Sequence, residues 1–232
     1  MITLSLMSDM LTPFLVSIKL ATVTTLCLLF FATPVAYWLA KPSRTQVISR
    51  LKVLLMGVIA MPLVLPPTVI GFYLLLLLSP SVGIGRWLSE HGISPLVFTF
   101  EGLVIGSIIY SLPFYIQPAY AQFLRIPQSV MEAAYLLEPN RLRRFMRVAL
   151  PQARIGIILG GLVSFAHTIG EFGVVLMIGG SISGETKVVS IAIYEQVEAL
   201  NYDAAHMMSA VLIIVGMIMV ALIASVNRLH QK

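Results

Sequence analysis

Charge is scarce in this chain and cysteine nearly absent. Charged residues make up 11% of the 232 positions and hydrophobic ones 58%, with a mean hydropathy of +0.94; that balance excludes an ordinary soluble domain and indicates an integral membrane protein. The lone Cys27 has no partner for an internal disulfide, so it is read as a small apolar packing group. His91, His167, His206 and His230 share no metal-ligand spacing, and no metal site is assigned. A Gly-x-x-x-x-Gly-Lys-Ser/Thr phosphate loop is missing, which assigns any nucleotide chemistry to another chain. No nucleophile and base pair up among the polar residues, so a catalytic role is not expected. Strict apolar-polar alternation is also lacking, which excludes a membrane β-barrel.

What remains is apolar sequence in long runs. Crossing a bilayer takes roughly 20 mostly apolar residues, and five stretches reach that length, at about 14–39, 54–78, 103–123, 155–178 and 205–226. The expectation is an all-α, polytopic membrane bundle of five helices, forming one domain over 1–232. A net charge of +5 invites a nucleic-acid partner, but the placement of the charges explains it without one. Lys41, Arg44, Arg50 and Lys52 fill the first interhelical loop, an arginine cluster fills the third, and Arg228 and Lys232 lie in the tail. Those segments are expected in the cytoplasm. The stretch ahead of the first helix carries Asp9 without Lys or Arg; residues 79–100 set Arg86 against Glu90; residues 179–204 hold Lys187 among Glu185, Glu195, Glu198 and Asp203. These are expected outside, which leaves the N-terminus external and the C-terminus internal. With no basic region before the first span and four spans after it, that span is expected to stay rather than be removed as a signal peptide. Lys19, near its outer end, can snorkel to the interface.

Two spans carry features that lipid does not tolerate. The second contains Pro62, Pro66 and Pro67, each of which removes a backbone donor and frees a carbonyl that must then face protein or water. Both a packed kink and a hinge lining a pathway satisfy that demand, and Thr68 and Gly71 suit a close helix approach. The fourth span ends in Ser164, His167, Thr168, Gly170, Glu171 and Gly173. A carboxylate there needs a cavity or donors, so Glu171 either braces the packing or serves a pathway.

Between the third and fourth spans, residues 125–154 form a polar island. Ser129 and Glu132 stand at capping-box spacing, predicting a short helix with Val130, Ala133, Ala134 and Leu137 on its apolar face. Glu138, Pro139 and Asn140 interrupt it. A second helix then places Leu142, Phe145, Met146 and Ala149 on one side, and Arg141, Arg144 and Arg147 on the other. Such a surface is either solvated, attracted to lipid, or a dock for another protein.

The island resembles the cytoplasmic loop of bacterial ABC-importer permeases: Glu132, Ala133 and Ala134 match its Glu-Ala-Ala, and Leu150 and Pro151 match its closing pair. The family's glycine is replaced by Glu138, where a left-handed helix end would be expected. Within that superfamily the chain is most similar to molybdate or tungstate permeases, then to sulfate permeases, through residues 62–67, 170–173, Gly184-Glu185-Thr186 and Ala192-Ile193-Tyr194. Where His167 stands, the family often has arginine.

The resemblance implies a homodimer in the bacterial cytoplasmic membrane, two separate ATPase subunits that bind ATP and Mg, an external or periplasmic solute-binding protein, and an oxyanion substrate. It places ATPase docking on Glu132, Ala133, Ala134, Arg141, Arg144 and Phe145, and the pathway or gate on Pro66, Pro67, Thr68, Ser164, Thr168 and Glu171. A sulfate or thiosulfate permease is the nearest rival. A secondary transporter would need paired repeats that are not seen, and a membrane enzyme would need a convergent site that His167 and Glu171 only begin.

Overall fold

A computed structural model describes residues 2–43 and 45–230, with residues 2–10, 229 and 230 described by backbone alone. Arg44, Lys232 and the side chains of Asp9 and His230 therefore lie outside the described residues. All regular structure among the described residues is helical. α1 (Ile2–Ala40) is followed by α2 (Gln46–Ala60), a 3-10 turn (Met61–Leu63), α3 (Pro67–Leu78) and α4 (Gly83–Glu90). α5 (Phe100–Leu124) leads into the polar island, built from α6 (Gln128–Leu137), α7 (Arg141–Arg144), a π turn (Phe145–Ala149) and α8 (Leu150–Gln152). α9 (Arg154–Ile169), α10 (Gly173–Gly179), α11 (Val189–Glu198) and α12 (Tyr202–His230) complete the chain. The first helix begins earlier than expected, so Asp9 belongs to α1 rather than to a stretch ahead of it.

Among the described residues, five single stretches are long and apolar enough to cross a membrane: Leu11–Ala40, Gln46–Leu63, Pro67–Glu90, Phe100–Leu124 and Tyr202–Arg228. The expected second span thus appears as two helices, and the expected fourth is divided between α9 and α10 with a break between them. Packing against α5 shows how these pieces combine. Ile59 of α2 joins Tyr115, Ile116 and Ala119 of α5, whereas Leu74 and Leu78 of α3 join Ile105 and Leu96 at the other end. α2 and α3 therefore run antiparallel to α5 as one broken crossing. α9 and α10 do the same. A Cβ on Gly156 would lie 2.6 Å from Pro118 O, and one on Gly160 2.7 Å from Tyr115 O; further along, Thr168 meets Ser111, Glu171 meets Ser107, and Ile178 packs over Gly106. Neither α9 nor α10 reaches the ~30 Å of a hydrocarbon core alone, since 16 and 7 residues rise about 24 and 10 Å. Together they do.

α1 runs parallel to α5, as Leu20 sits with Leu103, Thr33 with Tyr115 and Tyr37 with Phe123. α12 starts beside Phe14, where Met208 and Leu212 pack with Val189 and Ala192 of α11. The bundle therefore makes five crossings of alternating direction, and its termini lie at opposite ends. Leu28, Ala36, Tyr37, Phe123, Ala149 and Ala153 build the core at the end that carries the polar island. Val16, Leu20, Leu103, Val175 and Ile191 build the core at the far end. There Lys19 places its ammonium 4.1 Å from the Phe100 ring centroid, a cation–π contact. The far-end loop is pinned by Lys187 and Ser181, both on Glu195. Burial raises the Glu195 pKa, but these two donors more than reverse that and hold the carboxyl below its ordinary value.

Candidate functional site

Two regions collect the residues singled out by sequence. The first is the polar island. α6 begins after Pro127, with no side-chain cap, and Glu132 Oε1 accepts from Gln128 Nε2 at 2.7 Å. The expected Ser129 capping box is not formed, because the helix starts at Gln128 and puts Ser129 inside its first turn. Of the expected apolar face, Ala134 is buried and Val130 half-buried, while Ala133 and Leu137 point away from the bundle with Leu136. Leu136 and Leu137 are each 86% exposed.

Glu138 ends α6 at φ −135°, an extended conformation open to any residue. No left-handed turn is made at this position, so glycine has no advantage there. Instead, Glu138 Oε1 accepts from Asn140 N at 3.2 Å, and Asn140 Oδ1 caps α7 by accepting from Leu142 N at 2.9 Å and Arg143 N at 3.2 Å. Arg144, expected on the exposed side, is 3% exposed. Its Nη1 donates to Glu138 O at 2.8 Å and its guanidinium lies 3.6 Å from the Tyr135 ring centroid, so it fastens α7 to the end of α6. The π turn explains the misplacement: its wide winding lines Arg144 up with buried Ala149 and leaves Leu142 and Met146 outside. Phe145 turns inward as well, its ring 4.9 Å from that of Tyr37. The exposed face includes Glu132, Ala133, Leu136, Leu137, Arg141, Leu142, Arg143 and Met146. After α8 the chain bends by 74° into α9.

The second region lies within the bundle, at the level where both broken crossings are interrupted. Pro66 supplies the extended residue ahead of α3 and Pro67 its first turn. A Cβ on Gly173 would lie 3.0 Å from the Pro67 ring and 3.3 Å from Thr68 N, so the start of α10 abuts the start of α3 and the two breaks stand side by side. Pro66 and Thr68 face away from this chain's own core. Behind them runs a seam of buried hydroxyls. Ser107 Oγ donates to Glu171 Oε2 at 2.7 Å, Ser190 Oγ donates to the Glu171 carbonyl at 2.6 Å, and Thr168 Oγ1 donates to Ser164 O at 2.9 Å. Ser111 Oγ lies 3.0 Å from both Thr168 Oγ1 and His167 Nδ1. The His167 ring stacks on Phe114 with centroids 3.9 Å apart. Glu171 is 4% exposed, and its Oε1 has no partner among the described residues; the buried Ser164 Oγ has none either.

The seam thus ties α5 to α9 through Ser111, and ties α5 and α11 to the α9–α10 break through the carboxylate and the backbone carbonyl of Glu171. Sequence reading found Ser164, Thr168 and Glu171 but missed Ser107, Ser111 and Ser190. The four-residue spacing of Ser107 and Ser111 on one face of an apolar helix was the available signal.

A five-crossing bundle with interrupted helices at its heart and an amphipathic element at one end has the build of a membrane transport component. Residues 32–232 match the family described as binding-protein-dependent transport system inner membrane component, and the chain belongs to that family. It is 43% identical to the molybdenum transport system permease protein ModB of Azotobacter vinelandii, over 91% of this chain and 92% of that one. It is 28% identical to the sulfate transport system permease protein CysT of Escherichia coli, over 78% of this chain and 64% of that one. Its fold matches a chain in the crystal structure of a bacterial alginate ABC transporter in complex with an alginate pentasaccharide-bound periplasmic protein, with a TM-score of 0.68 at 17% identity, covering 95% of this chain and 80% of that chain.

Proposed function

We propose that the chain is the permease subunit of an ATP-driven importer that carries molybdate or tungstate across the cytoplasmic membrane. The observation that supports this substrate best is the 43% identity, along nearly the whole chain, to a molybdenum transport permease. Sulfate or thiosulfate is the alternative, carried by the lower identity to a sulfate permease. In the assembly we propose, two copies enclose one pathway, two cytoplasmic ATPase subunits bind ATP and Mg, and an external binding protein delivers the anion. The N-terminus is outside and the C-terminus is cytoplasmic. The positive-inside bias supports that orientation, since Lys41, Arg50, Lys52 and the arginines of the island lie at one end of the bundle.

The work of the subunit is mechanical. A bare divalent oxyanion faces a barrier on the order of tens of kcal/mol in hydrocarbon by Born estimates, and a protein path opened alternately to each side removes it. Closure of the ATPases pulls on the exposed ridge of α6 and α7. Phe145, Arg144 and the 149–153 core carry that motion into α9, which leads directly to Glu171 and the two adjacent breaks. Proteoliposomes holding the permease, its ATPase and its binding protein should accumulate labelled molybdate only with ATP, and a tenfold excess of sulfate should leave the rate within about twofold. Competition by sulfate at equal concentration would shift the substrate to the sulfate class.

A further inference from the structure

A separate polar cleft lies at the island end of the bundle, where the chain leaves α1 and enters α2. It measures about 540 Å³, and Lys41, Ser43, Thr45, Ser49, Lys52 and Tyr120 supply its polar lining. Lys52 is 9% exposed. Its ammonium donates to Lys41 O at 2.5 Å and lies 5.1 Å from the Trp38 ring centroid. An ammonium has three donors, and a buried one needs acceptors or a counter-charge. Among the described residues, no Asp or Glu lines the cleft. The Lys41 ammonium sits 3.9 Å from the Tyr37 ring centroid. Burial, then repulsion from Arg144, Arg141 and Lys52, pushes the Lys41 amine below its ordinary pKa. Thr45 caps α2, whose N-terminal end faces the cleft through Gln46 and Ser49 and adds the positive pole of its dipole. Positive charge, hydroxyl donors and a helix start therefore converge on one space without a carboxylate to balance them.

We propose that this cleft binds the phosphodiester head group of an anionic phospholipid. Its position selects a lipid over a free oxyanion. The first apolar span ends at Ala40 and the next begins at Gln46, so the cleft opens at the membrane boundary, where head groups lie. Leu39 and Val53 line it beside the polar groups, Val53 is 70% exposed, and Trp38 and Tyr37 stand alongside as interfacial aromatics. A phosphate in the cleft can accept from Lys52 and Lys41 while its acyl chains run along the exposed apolar side of α2. The site is independent of which anion the permease transports.

The test is thermal unfolding of the complete purified transporter, titrated with dihexanoyl phosphatidylglycerol, dihexanoyl phosphatidylcholine, inorganic phosphate or molybdate. Phosphatidylglycerol should stabilise the complex with an apparent affinity at least about tenfold above that of phosphatidylcholine, and neither inorganic phosphate nor molybdate should reproduce the shift. Lys41→Gln should abolish that preference by removing charge. Ser49→Leu should abolish it by filling the exposed mouth of the cleft without changing charge, which separates site loss from a general charge effect. Equal responses to the two lipids, or a preference kept by both variants, overturns the proposal. A shift from inorganic phosphate or molybdate equal to that from phosphatidylglycerol also overturns it and assigns the cleft to a free oxyanion.

Discussion

Glu132→Lys is expected to leave the chain inserted while lowering its affinity for the ATPase at least about tenfold, ~1.4 kcal/mol, with uptake falling in proportion. Glu132 is exposed on α6 and accepts from Gln128 on the same helix, so the substitution reverses a charge on the outer face without touching the core. Charge reversal at a docking contact acts on both attraction and register. Leu137→Asp on the same face should act similarly by placing a carboxylate on a ridge that is 86% exposed in the isolated chain. Arg144→Ala should differ in kind. It removes the donor to Glu138 O and the cation over Tyr135, so it should loosen the α6–α7 turn and lower thermal stability before any contact with the ATPase is made. Co-purification of the ATPase with each variant, alongside the melting temperature of the permease alone, separates the two effects. Wild-type ATPase stoichiometry and uptake in both Glu132→Lys and Leu137→Asp would remove α6 from the docking surface.

The second large effect is expected at Glu171. Glu171→Ala deletes the acceptor of the Ser107 hydroxyl and opens a cavity where α5, α10 and α11 converge, a combined loss of about 2–5 kcal/mol. Assembly and uptake should both drop sharply. Glu171→Gln keeps an oxygen for Ser107 and nearly the same volume, so it should assemble close to normally and retain much of the transport. That contrast identifies bracing as the role of the residue. A Gln variant that assembles normally but hydrolyses ATP without uptake would instead make the carboxylate part of the gate. Yield, uptake and ATPase rate measured together distinguish the two outcomes.

Much of this was readable from the chain, for identifiable reasons. Apolar run length located every crossing because lipid imposes that length, and the Pro66-Pro67 pair marked the α2–α3 break because two adjacent prolines remove two successive backbone donors, whereas the single prolines Pro34, Pro113 and Pro118 stay within helices. The break at 170–172 was not foreseen. It contains no proline, and it arises where the Glu171 backbone turns back, N–H to Thr168 O and carbonyl to Ser190 Oγ, bonds that depend on tertiary neighbours. The side assignment of Arg144 failed for another reason: helical periodicity assumes 3.6 residues per turn, and the π turn at Phe145–Ala149 changes that phase. Glu138 looked like a poor substitute for glycine because sequence suggested a left-handed turn that the Asn140 cap makes unnecessary. The partners of Glu171 stayed hidden because serines in an apolar helix give no sign of which carboxylate they will meet.

The α6–α8 element is expected on the cytoplasmic side of a bundle with five crossings. Cysteine accessibility measures this directly in a Cys27→Ser background, with one new cysteine at exposed Gln152 and another at exposed Ser183 in the loop at the opposite end. An impermeant thiol reagent should label the Ser183→Cys protein in intact spheroplasts, and the Gln152→Cys protein only in inverted vesicles. Labelling of both positions from the same side, or of the two in the reverse order, would contradict the five-crossing orientation and the docking role together.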